Sequence, residues 1–215
     1  MARRSSKTAV RRPVQRRSAA TVDTILEAAA QIFRAHGAKG ATTNRIAERA
    51  GVSVGSIYQY FPNKESLLVA LMEKHIDESV TTLSSVMEAT AAAPPRARVG
   101  ALVKATLDLH VTDPELHRII FEDCPRPPHV RATLERVERR MRTALEAMLR
   151  DFPHSVCADP TRSAYVATTL VESMVHRYVT ASERPMEPQA FADHLTALVM
   201  REMALSSPPS TGSER

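Results

Sequence analysis

Between Ser53 and Lys64 the run SVGSIYQYFPNK places two phenols, two primary amides, two serine hydroxyls and an ammonium within twelve residues. None of these groups is a nucleophile with a base beside it. Hydroxyls, phenols and an ammonium donate to phosphate oxygens, and a glutamine amide matches the major-groove edge of adenine. Ile57 and Phe61 are spaced one helical turn apart and are expected to face inward. That leaves Gly55, Ser56, Gln59 and parts of Tyr58 and Tyr60 outward. The chemistry on offer is recognition of a polyanion.

These groups need a short, rigidly held helix, and the stretch from Thr42 to Leu67 reads as its support. Thr43 can cap a helix whose inner face is Ile46, Ala47 and Ala50, with small residues that permit a close crossing. Gly51 supplies a left-handed turn, and Ser53 caps the next helix, Val54 to about Phe61. Pro62 ends it and Asn63 caps a third. Two short helices around a glycine turn form a helix-turn-helix, which lays its second helix in the major groove of DNA. Upstream, Val22, Ile25, Leu26, Ala29, Ile32 and Phe33 predict a supporting helix over Thr21–His36, stopped by Gly37. Lys64 falls in a first helical turn, where the dipole disfavours a cation. A phosphate over that N-terminus would resolve the conflict, held by Lys64 and free backbone N–H groups.

Charge is divided in the same sense. Residues 1–64 carry twelve Lys/Arg against three acids, a balance of +9; residues 65–215 carry seventeen against twenty-one, a balance of −4. One end suits a polyanion and the other does not. Residues 1–17 are basic with little to bury, and are expected to be a disordered arm that adds sequence-independent affinity. Two cysteines are too few for a disulfide framework and suit a reducing cytosol. No apolar run approaches a membrane span and no secretory signal is visible. The expectation is a cytoplasmic protein with no membrane partner.

The first helix, then TTNRIAERAGVS, then GSIYQYFPNKESLL, resembles the DNA-binding domain of the TetR family of bacterial transcriptional regulators over about residues 18–66. The resemblance implies DNA-backbone contacts from Thr43, Tyr58, Tyr60 and Lys64. Base contacts are implied around Ser53, Val54, Gly55, Ser56 and Gln59, with Thr42 and Arg45 completing the candidate set. Many relatives have histidine where this chain has Tyr60, a departure that changes hydrogen bonding rather than docking.

The remainder predicts an all-α fold, an N-terminal three-helix domain joined by a long helix to a C-terminal helical domain for ligand binding and dimerisation. The long helix is expected over Lys64–Thr90, about 40 Å at 1.5 Å per residue. Five further helices are expected over Ala97–His110, Glu115–Asp123, His129–Arg150, Pro160–Ser182 and Gln189–Leu205. Residues 67–205 form the second domain, and residues 206–215 a disordered tail. The last two helices carry Tyr165, Leu170, Met174, Tyr178, Phe191, Leu195, Leu198 and Val199; the resemblance implies that they build a homodimer. Two copies would set recognition helices about 34–36 Å apart on a near-palindromic double-stranded operator.

The second domain's methionines and aromatics suit a small hydrophobic or aromatic effector, with Leu107, Phe121, Met141, Met174 and Tyr178 as pocket candidates. The resemblance implies such a pocket without naming its ligand. The reading is a sequence-specific regulator, a repressor released by its effector; the alternative is a ligand-independent architectural DNA-binding protein. Catalytic motifs, phosphate loops and paired carboxylates are absent from the sequence, so no enzyme and no cofactor is expected. His110 and His117 are seven apart but flank a break at Thr112–Pro114. His117, Cys124 and His129 could cluster around the proline turn, but a chance cluster with Cys124 as a small core residue is the favoured reading, so no metal site is assigned.

Overall fold

Proline marks where helices begin in this chain. Pro95, Pro114, Pro128, Pro160 and Pro188 each occupy the first position of a helix, where the missing N–H costs nothing and φ is already helical. The structure, a computed structural model, describes residues 11–154 and 156–205, with side chains over 18–204 apart from residue 155. Its described residues form nine helices and no strand. They are α1 (Arg11–Gly40), α2 (Thr43–Ala50), α3 (Val54–Tyr60), α4 (Lys64–Ala89), α5 (Pro95–Val111), α6 (Pro114–Asp123), α7 (Pro128–Arg150), α8 (Pro160–Thr180) and α9 (Pro188–Leu205).

Several boundaries differ from expectation by a residue or two, and those of α1 by more. α1 starts at Arg11, ten residues before Thr21, so the part of the basic arm from residue 11 is helical. Pro13 sits in its first turn, where proline is tolerated. The rest of that arm, residues 1–10, and the C-terminal tail lie outside the described residues. Gly37 does interrupt α1 as its sequence predicts, with φ 65° and ψ 172°, before one further turn reaches Gly40.

The chain divides into two compact units. The first runs to Met72 and includes Ile119–Pro125. Its core holds Ile25 and Phe33 from α1, Ile46 from α2, Ile57 from α3 and Leu67 from α4, all fully buried. Each such side chain contributes about 1.5–3 kcal/mol by leaving water. α2 is only eight residues long and α3 seven, too short to hold on their own. That shared core is what keeps them helical.

The second unit comprises Glu73–Arg118 and Arg126–Arg215. Val103 and Leu107 of α5, Leu149 of α7, Val175 of α8 and Leu195 of α9 meet in one apolar cluster. Tyr178 stacks on Phe191 with ring centroids 4.1 Å apart and donates its hydroxyl to the Met186 carbonyl at 2.8 Å. Arg98 is buried, its guanidinium over the Phe152 ring and 3.7 Å from Asp151. Among the described residues no helix is long and apolar enough to cross a membrane.

Candidate nucleic-acid interface

The turn between α2 and α3 is built from local backbone rules. Gly51 adopts φ 67° and ψ 28° and its N–H bonds back to Ala47 and Glu48, while the Val52 N–H reaches the Ala47 carbonyl at 3.0 Å. This pair of bonds closes α2 in a left-handed cap that favours glycine. Ser53 caps α3, its hydroxyl accepting the Ser56 N–H at 3.0 Å and lying 2.8 Å from the Ser56 hydroxyl. α2 is capped by Thr42, which accepts the Arg45 N–H at 3.3 Å, rather than by Thr43 as expected. Two adjacent threonines could each cap; the register of the first turn selects Thr42 and turns Thr43 toward α3.

Turned that way, the Thr43 hydroxyl lies 3.4 Å from the Tyr58 phenol. On α3, Ile57 and the following Phe61 are buried, whereas Tyr58 is 52% exposed, Tyr60 37% exposed, and Gln59 and Gly55 open to solvent. The inward and outward faces are those the spacing predicts. Val54 and Ser56 are half-buried at the start of the helix. The Tyr60 hydroxyl accepts from Ser18 at 3.3 Å, which ties the recognition helix to α1. Arg45 donates to the Gly40 carbonyl at 2.9 Å.

Lys64 finds a protein partner for its charge as well as facing the N-terminus of α4. It is partly buried, and its ammonium donates to the Ala38 carbonyl at 2.8 Å and reaches Ala41 at 3.5 Å. A cation at the first turn of α4 therefore sits at the C-terminal end of α1, where carbonyls and dipole favour it. Asn63 caps α4 as expected, its amide oxygen accepting the Ser66 N–H at 2.8 Å.

Of the five effector-pocket candidates, Leu107 and Tyr178 belong to the apolar cluster of the second unit and Met174 packs against it. Met141 is half-buried on α7, and half-buried Phe121 falls in the segment assigned to the first unit. An open polar cleft of about 550 Å³ lies elsewhere, lined by Arg142, Glu146, Asp159, Thr161, Arg162 and Tyr165.

A second constellation, not foreseen from the sequence, lies within the second unit. His75, His110 and His117 offer ring nitrogens within 4.8 Å of one another, and His117 Nε2 lies 2.7 Å from His176 Nδ1. Burial lowers His110 to about 4, with a weaker downward push from His75, against the hydrogen bond to Thr106 that raises it. His117 is lowered to about 2 by burial first, then by the His110, His176 and His75 rings. His176 is lowered to about 4 by burial, His110, His75 and Arg126, and burial also lowers His75. Burial thus favours the neutral form of all four rings. One signal was available: His75 follows Leu68, Leu71 and Met72 at the spacing of the buried face.

Known proteins place both halves of the chain. Residues 25–71 match the family described as bacterial regulatory proteins, tetR family, and residues 94–201 match the tetracyclin repressor-like C-terminal domain. The chain is similar to the HTH-type transcriptional activator FasR of Mycolicibacterium smegmatis, 30% identical over 166 residues that cover 76% of this chain and 74% of the relative. Its fold is similar to that of the fatty acid degradation regulator FadR from Bacillus halodurans (TM-score 0.65, 23% identity, 84% and 94% of the two chains covered). It is also similar to FadR from Bacillus subtilis, solved in complex with stearoyl-CoA (TM-score 0.61, 17% identity, 83% and 97% covered). With the helix-turn-helix geometry in place at one end and the matching helical domain at the other, this chain belongs to the TetR family of DNA-binding transcriptional regulators.

Proposed function

We propose that the protein is a homodimeric repressor that releases a near-palindromic operator when a small hydrophobic effector binds its second unit. The observation that carries the DNA-reading part is the division of α3, with Ile57 buried and Tyr58, Gln59 and Tyr60 exposed. In this reading Tyr58, Tyr60 and Thr43 hold phosphates, and Gln59, Gly55 and Ser56 meet base edges. Lys64 keeps one N–H free of its two carbonyls for a phosphate. Thr42, Arg45, Ser53 and Val54 hold the helix ends that aim these groups.

Dimerisation through α8 and α9 is supported by apolar side chains left on their surface, Tyr165 at 57% and Leu198 at 39% exposure. The effector reading draws on Leu107, Met141, Met174 and Tyr178 of the second unit, and on the stearoyl-CoA of the Bacillus subtilis structure. A long acyl thioester is accordingly the first effector class to test. α4 carries residues of both units and is the element by which an effector's shift reaches α3. The sign is repression in this reading, although the Mycolicibacterium smegmatis relative is named an activator.

The test starts from genomic fragments selected on the full-length protein. Fluorescence anisotropy on a selected fragment then follows binding as stearoyl-CoA is added. The proposal expects saturable binding of one sequence and its loss with the acyl thioester. Operator affinity unchanged across a panel of acyl thioesters and aromatic acids would favour the ligand-independent architectural reading. That reading has its own support, since Leu107 and Tyr178 are spent in the packed core.

A further inference from the structure

Histidines rarely gather by fours inside a helical domain, because a neutral imidazole must either find a hydrogen-bond partner or carry a desolvation cost. Here α4, α5, α6 and α8 each contribute one: His75, His110, His117 and His176. His110 and His117 are buried and the other two half-buried. The His110 ring lies 4.4 Å from that of His117 and 5.1 Å from that of His75, and the His117 and His176 rings lie 4.7 Å apart. All four belong to the second unit.

We infer that these four imidazoles form a binding site for a divalent first-row transition metal of the zinc class. Three features of the cluster support it. First, the nitrogens are close to the required distances. Two nitrogens bound tetrahedrally to zinc at about 2.0–2.1 Å stand roughly 3.3 Å apart. The 2.7 Å from His117 to His176 needs only a small opening, and the spread of up to 4.8 Å among His75, His110 and His117 a modest closing.

Second, the His110 Nδ1 nitrogen is bonded to the Thr106 carbonyl one turn earlier. A carbonyl only accepts, so Nδ1 carries the proton and Nε2 keeps its lone pair. This is the arrangement in which a backbone carbonyl fixes the tautomer and orientation of a metal-binding histidine. Third, the ligand set is chemically selective. Four neutral imidazoles without a carboxylate among them suit zinc, cobalt, nickel or copper, and not the hard, oxygen-seeking magnesium or calcium. The positive field of Arg126 is felt at His176, and Arg126 is itself in range of the Glu172 carboxyl.

Such a site would join four helices through their residues in the second unit, which makes its occupancy a second input to that unit beside an apolar effector. It stands on the cluster alone, independent of whether an acyl thioester is the effector.

The experiment uses untagged full-length protein, Zn²⁺ as the titrant in calorimetry, and Co²⁺ absorption as a reporter of coordination. Wild type is expected to bind one Zn²⁺ per chain, to show the visible bands of four-coordinate Co²⁺, and to ignore Mg²⁺. His117→Gln and His176→Gln, each checked for a folded helical spectrum, should weaken Zn²⁺ binding by at least about tenfold and abolish the Co²⁺ bands. His154→Gln and His194→Gln remove exposed histidines and should change neither. Wild type that binds no Zn²⁺, or folded His117→Gln and His176→Gln proteins that bind it as wild type does, would overturn the site. So would loss of binding in the two exposed-histidine variants, which would mark a surface site instead. Should His117→Gln fail to fold, His75→Gln on the half-buried edge of the cluster gives the same reading.

Discussion

The Lys64 ammonium donates to the Ala38 carbonyl 2.8 Å away, across 26 residues of sequence. The first turn of α4 is thereby fastened to the last turn of α1, and a residue expected to serve only DNA also holds the first unit together.

Lys64→Ala should therefore lower stability as well as DNA affinity. Loss of a charged hydrogen bond at a partly buried position costs about 1.5–3 kcal/mol. Thermal unfolding followed by circular dichroism should show a lower Tm, and Lys64→Arg should restore only part of it, because the planar fork does not fit a point-charge site. An unchanged Tm with weakened DNA binding would return Lys64 to a purely phosphate-binding role.

Thr43 and Tyr58 share a contact at 3.4 Å, so their contributions to DNA affinity should not add. Tyr58→Phe and Thr43→Val are each expected to weaken operator and random DNA alike. The double variant should fall short of the sum by about 0.5 kcal/mol or more, as coupled neighbours do. Gln59→Ala should instead cost about 1–3 kcal/mol on the operator and relax preference at one base pair. Competition binding against a set of single-base operator variants separates the two patterns.

Gly51 has open space where a Cβ would stand, but its φ of +67° is left-handed. The penalty of Gly51→Ala is thus conformational, about 1–2 kcal/mol, and Gly51→Asn should cost less because asparagine tolerates this region. Urea unfolding of the two variants checks the order. Equal stability of all three proteins would mean that the turn relaxes.

Leu198→Arg places a charge on the exposed face of α9 without touching the buried Leu195 and Val199. It should convert a dimer to a monomer in light scattering while leaving the helical spectrum intact. A variant that remains dimeric would move the interface off this face.

Local signals were readable in the sequence and long-range ones were not. Gly37, Gly51, Ser53 and Asn63 act within four residues of themselves, and each does what its type predicts. Ile57 and Phe61 likewise declare the buried face of α3 by spacing alone. Thr42 and Thr43 are both eligible caps, and only the turn's register separates them. The partner of Lys64 lies on another helix, which no local pattern encodes. The break at Thr112–Pro114 predicts that His110 and His117 stand apart. In fact the chain folds back there, and the rings finish 4.4 Å apart. His176, 59 residues beyond His117, enters the same cluster by tertiary packing. On α7 the helical spacing of Leu134, Val137 and Met141 predicts an inward face, yet all three are only half-buried.

The prolines that open α5, α7 and α8 give these helices two unlike ends. Each is preceded by a residue outside the helical region, at ψ 151°, 164° and 84°, and a following proline keeps it there. These helices cannot lengthen backwards, so further winding is confined to their C-terminal turns. Any lengthening of helices in the second unit therefore has a direction, set at α5, α7 and α8 by the prolines that open them.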